Sequence, residues 1–126
     1  MDPDIVNDPV WGPQLIEALT QIPTMSLTLD PEDLWDENNG IYPNSIQRAS
    51  NNPKWEKPSS LEMFYPDGSE GDFTINAGAR IMGELARWAV ANDKQSFRMV
   101  FQEEYGPTKL VTDFFGDPEV NEYDTI

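Results

Sequence analysis

Apolar residues recur along this chain in two periods, one near the start and another from the middle onward. Leu15, Ile16, Leu19 and Ile22 follow Pro13 at helical spacing, so a short amphipathic helix is expected over 13–21, stopped by Pro23. Met25-Ser26-Leu27-Thr28-Leu29 alternates and predicts a strand. Asp30 then suits a helix N-cap, with Pro31 at the first helical position, and Asn38-Asn39-Gly40 suits a turn. Ahead of all this, residues 1–12 are rich in Asp and Pro and are expected to be extended.

The later pattern has period two. A strand is expected over 59–65, ended by Pro66-Asp67-Gly68. Over 72–81, alternation puts Phe73, Ile75, Ala77, Ala79 and Ile81 on one face and Asn76, Gly78 and Arg80 on the other. Over 95–101 it turns Phe97, Met99 and Phe101 inward and leaves Arg98 on the polar face, where it can neighbour Arg80. Residues 84–91 are strong helix formers, 110–115 read as one more short strand, and 43–58 as a long loop. The fold class expected is α+β: an antiparallel meander from about 59 to 101, a short N-terminal helix, and one helix packed beside the sheet.

Composition narrows the function classes. Eight Lys and Arg stand against 23 Asp and Glu among 126 residues, a net charge of −15. The imbalance argues against a nucleic-acid partner, which needs clustered cations, and against docking on an anionic membrane. It is concentrated at the two ends: residues 1–40 hold nine acids and no base, and residues 101–126 hold seven acids and one base. Cys and His are both absent, so a disulfide framework, a Cys/His zinc site, a catalytic Cys or a His-based triad has no residues to use. No basic stretch leading into an apolar one opens the chain, and no run of 18 apolar residues occurs, so neither a signal peptide nor a membrane span is expected.

Candidate chemistry is sparse. No G-x-S-x-G elbow, Walker-type phosphate loop or G-x-G-x-x-G is present. Lys94 and Arg98 stand at the entry to and on the polar face of an expected strand, where they can point at one anionic ligand; a salt bridge to a surface carboxylate is the plainer use. Asp30, Asp33, Asp36 and Asn38, and separately Asp67, Ser69, Glu70 and Asp72, cluster as calcium loops do, without the EF-hand spacing. Trp35, Trp55 and Trp88 can line a carbohydrate or peptide groove; the plainer use is as half-buried anchors of a loop or helix.

Several stretches together resemble a known family. Ile22-Pro23-Thr24-Met25-Ser26-Leu27-Thr28-Leu29-Asp30 with Asp33-Leu34-Trp35, and then Asn39-Gly40-Ile41-Tyr42, resemble the opening of the spore coat protein H (CotH) kinase-like domain. Trp55-Glu56-Lys57-Pro58 ahead of Leu61-Glu62-Met63-Phe64 is similar to the family's W-E-R-P segment and the strand after it. The strand containing Asn76-Ala77-Gly78, then Lys94-Gln95-Ser96-Phe97-Arg98, then Glu104-Tyr105-Gly106-Pro107 and Phe115-Gly116-Asp117, continue the resemblance in order.

The resemblance implies an atypical protein-kinase-like fold and, in the complete domain, ATP- and Mg- or Mn-dependent phosphorylation of a protein substrate. It implies that 13–126 is the N-terminal part of such a domain, whose metal-holding and catalytic acids belong to a later half, leaving no catalytic residue here. It also implies a place in a larger bacterial extracellular or cell-surface protein. Lys94, Arg98 and Arg87 are the candidate phosphate contacts. There is one departure: where the family shows Gly-Gly-x-Ser-Arg, this chain has Gly83-Glu84-Leu85-Ala86-Arg87, and Glu84 is electrostatically wrong beside phosphate. That departure supports one alternative, a non-catalytic surface or binding module that keeps the fold; a second is a carbohydrate-binding module using the tryptophans.

Overall fold

The computed structural model describes residues 2–45, 55–66, 71–83, 95–117 and 119–126. The elements are α1 (Pro3–Val6), a 3₁₀ turn (Gly12–Gln14), α2 (Leu15–Thr20), β1 (Thr24–Leu29), α3 (Pro31–Trp35), β2 (Lys57–Phe64), β3 (Phe73–Met82), β4 (Ser96–Val100), β5 (Leu110–Val111) and β6 (Glu122–Tyr123). The class is α+β: four antiparallel strands in the order β1-β2-β3-β4, a second two-stranded sheet of β5 and β6, and a few short helices. Among the described residues no helix is long and apolar enough to cross a membrane.

Short local signals account for the helices. Asp30 caps α3, its carboxylate accepting from the Glu32 N–H at 2.8 Å, with Pro31 at the first position. The same Asp-Pro pair at Asp2-Pro3 starts α1, so residues 1–12 are not uniformly extended as expected. The helix expected over 13–21 forms as the 3₁₀ turn running into α2. The turn after α3 is closed by the Asp36 carboxylate, which accepts from the Asn38 and Asn39 N–H groups. Gly40 completes it: a Cβ there would lie 2.5 Å from the Asp36 nitrogen.

The chain divides into two compact units, Met1–Ser26 with Glu62–Phe73, and Leu27–Leu61 with Thr74–Ile126. In the first, the Asp72 carboxylate accepts from the Tyr65 N–H at 2.8 Å. The second holds most of the core. Ile75, Ala77, Ala79 and Ile81 of β3 are buried on the face that alternation assigns them, with Leu61 of β2, Met99 of β4, Phe101, Leu110 and Ile41.

In register, Ile81 faces Phe97, Arg80 faces Arg98 and Gly78 faces Val100. The far edge of β4 is covered by backbone bonds: Met99 and Ile126 exchange N–H···O bonds of 2.8 and 3.1 Å, and the Phe101 N–H donates to the Asp124 carbonyl at 2.9 Å. The strand expected over 110–115 is only Leu110–Val111, because the Asp113 carboxylate captures the Phe115 and Gly116 N–H groups in a turn. The expected helix over 84–91 lies outside the described residues.

Leu61 is 1% exposed, and Leu61→Ala should cost about 3 kcal/mol in urea unfolding. Phe115→Ser, at a position 77% exposed, should change stability by no more than about 0.5 kcal/mol.

Candidate functional site

The polar face of β3 carries Asn76, Gly78 and Arg80. Over it closes Glu56, which stands just before β2 and whose side chain is 3% exposed. A carboxylate so far from water needs a counter-charge and donors. The Arg80 Nε donates to Glu56 Oε2, and the Tyr105 phenol donates to the same carboxylate. Gly78 makes the approach possible, since a Cβ there would lie 2.6 Å from Glu56 Cγ and 2.6 Å from Tyr105 Cε2.

Tyr105 belongs to the turn after β4, where the N–H groups of Tyr105 and Gly106 both donate to the Gln102 carbonyl. Burial first, then the hydrogen bond to Glu56 and the negative charges of Glu56 and Glu104, push its phenol above the ordinary tyrosine range; Arg80 acts in the opposite sense. Next to the cluster is an open cavity of about 440 Å³ lined by Pro58, Ser59, Asn76, Glu104 and Tyr105. Its Ser59 hydroxyl is committed to the Ala77 carbonyl at 2.8 Å.

Arg98 faces Arg80 across the β3–β4 register, as the alternation allowed. Residues directly opposite in an antiparallel pair hold their Cβ atoms about 5 Å apart, and two like charges there repel. Glu56 offsets one of them. The Arg98 side chain is exposed, and its guanidinium makes no hydrogen bond or ion pair among the described residues. Among the described residues the site therefore pairs a guanidinium braced by Glu56 with one that has no side-chain partner. The Glu56 carboxylate accepts from both Arg80 and Tyr105, so its charge is answered within the cluster.

Comparison with protein-family models, with curated proteins and with solved structures found no match to this chain. The site is therefore read from its own geometry.

Of the three candidate phosphate contacts, Arg98 falls at this site; Lys94 and Arg87 lie outside the described residues, as do Glu84 and Trp88. Glu56, Arg80 and Tyr105 were not singled out together from the sequence. The available signal was Gly78, a glycine in mid-strand on the polar face, which marks a place where other groups come close.

The first acidic cluster is otherwise engaged. Asp30 caps α3, Asp33 pairs with Lys57 at 2.8 Å and Asp36 closes its turn. Of the second, only Asp72 is described, and it bonds Tyr65. No group of three or more acidic side chains among the described residues is placed to hold a metal ion. Trp35 packs on Tyr42 with ring centroids 4.8 Å apart, an anchoring contact.

The raised Tyr105 pKa has a defined sign. The phenol's contribution to stability should be full below about pH 10, the ordinary tyrosine value, and lost as pH rises through the higher folded value. Ultraviolet titration should show one of the four tyrosines ionising after the others, and Glu56→Gln should move it earlier. Glu56→Gln should also destabilise by roughly 3 kcal/mol, because Arg80, its side chain 25% exposed, loses its counter-charge.

Proposed function

We propose that this chain forms the N-terminal part of a domain of the spore coat protein H kinase-like kind and supplies the cations that position nucleotide phosphate. One observation carries the reading. Segments that bear the resemblance, separated by up to about fifty residues, meet in one charged cluster: Glu56 from Trp55-Glu56-Lys57-Pro58, Gly78 from Asn76-Ala77-Gly78, and Tyr105 from Glu104-Tyr105-Gly106-Pro107. Arg98, from Lys94-Gln95-Ser96-Phe97-Arg98, stands opposite Arg80 at its edge.

A carboxylate bracing a strand cation is the arrangement by which kinases hold a phosphate-binding lysine in place. Here Glu56 braces Arg80, and Arg98 is open to solvent for an anionic oxygen. In the complete domain, ATP with Mg or Mn would be the cofactor and a protein the phosphate acceptor. The carboxylates that hold the metal would come from the later half of that domain, so this chain alone would bind without transferring phosphate. A bacterial extracellular or surface protein would be its setting. The second reading is a non-catalytic binding module that keeps this fold, favoured by Glu84 where the family has glycine.

Calorimetry of ATP–magnesium with the 126-residue chain tests the proposal. Saturable binding is expected, weakened about tenfold or more by Arg98→Ala, the loss of one charge-assisted contact. Lys94→Ala should also weaken it. No binding by the folded chain, or binding indifferent to Arg98→Ala, would favour the non-catalytic module.

A further inference from the structure

The N-terminal stretch of the first unit combines two features. It carries Asp2, Asp4, Asp8 and Glu17 with no Lys or Arg among its first 26 residues. It also leaves large apolar side chains in water, among them Ile5, Val10, Trp11 at 61% exposed and Ile16 at 78%. Scattered apolar residues on a surface need no explanation, but Ile5 and Trp11 line a feature. An open groove of about 460 Å³ is walled by Ile5, Trp11, Gln14, Leu15 and Ala18, mostly by apolar surface.

The groove is braced rather than loose. The Asp8 carboxylate accepts from the Val10 and Trp11 N–H groups at 2.8 and 2.9 Å, and the Gln14 side-chain amide donates to the Val10 carbonyl at 2.7 Å. These bonds fix the backbone carrying Trp11 against the start of α2. They also place the Asp8 charge next to Trp11. Asp4 precedes Ile5 in α1, and Glu17 precedes Ala18 in α2, where the Glu17 carboxylate accepts from the Gln21 side-chain amide.

We propose that this groove docks a basic amphipathic helix of a partner protein, its apolar side chains entering beside Trp11 and Leu15 and its Lys or Arg facing Asp4, Asp8 and Glu17. Charge selects the occupant. A second copy would bring the same four acids and no base to the contact, and an anionic lipid surface would repel the same acids. A basic amphipathic helix satisfies both features, with i, i+3 and i+4 anchors for the groove and cations for its rim.

Fluorescence anisotropy with a labelled synthetic Leu/Lys amphipathic helix of about two heptads tests this on the full chain. Expected is saturable binding that weakens with salt, falls about tenfold or more with Trp11→Ser and with Ala18→Arg, and is unchanged by Phe115→Ser, which removes an apolar side chain elsewhere. Ala18 is exposed on α2, so Ala18→Arg carries the test should Trp11→Ser fail to fold by circular dichroism. No binding, equal binding of a Leu/Glu helix, or affinity indifferent to the folded groove variants would overturn the proposal. Self-association of the chain that excludes the peptide would do so too, since the occupant would then be a second copy.

Discussion

A carboxylate removed from water must be answered by donors and by opposite charge, and in this protein Glu56 imposes that demand. It is met only when Arg80, 24 residues further on, and Tyr105, later still, arrive at the same point. Their arrival needs bare backbone at Gly78. The polar face of β3 is thereby fixed as a structured surface rather than a solvated one, although the opposite face holds the core. Register, turn geometry and electrostatics in the second unit all converge on this one buried charge.

The cations of the described chain are mostly committed. Lys57 holds Asp33, Lys109 holds Glu122 and Arg80 holds Glu56. The exposed Lys109–Glu122 pair is the kind that contributes little to stability, while the Glu56 pair cannot be broken without leaving a charge in a poor environment. Arg98 differs from all three. In a molecule with so large a negative excess, a strand arginine with no carboxylate bonded to it among the described residues is a feature at odds with a purely structural account.

Much of the fold was legible because backbone geometry dictates it. A strand turns alternate residues to opposite faces, so the inward set of β3 and the meeting of Arg80 with Arg98 followed from counting by twos. The capped turn at Asp30-Pro31 followed from a local hydrogen bond. The identical Asp2-Pro3 signal was present but was outweighed by the acidic, proline-rich character of its surroundings. The shortened β5 reflects competition at Asp113, whose side chain offers the backbone a turn where the hydrophobic pattern alone suggests a strand. The partners of Glu56 were not legible, because nothing periodic links positions 56, 80 and 105; only the tertiary fold brings them together.

The backbone bonds that tie Met99 and Phe101 to residues 124–126 have a consequence for assembly. A sheet recruits further strands through edges whose peptide groups are unpaired. Residues 124–126 cover β4 over this stretch, and β1 stands at the opposite end of the strand order. The peptide groups that Met99 and Phe101 turn away from β3 are therefore spent within the chain, and an incoming strand would have to displace residues 124–126 to reach them.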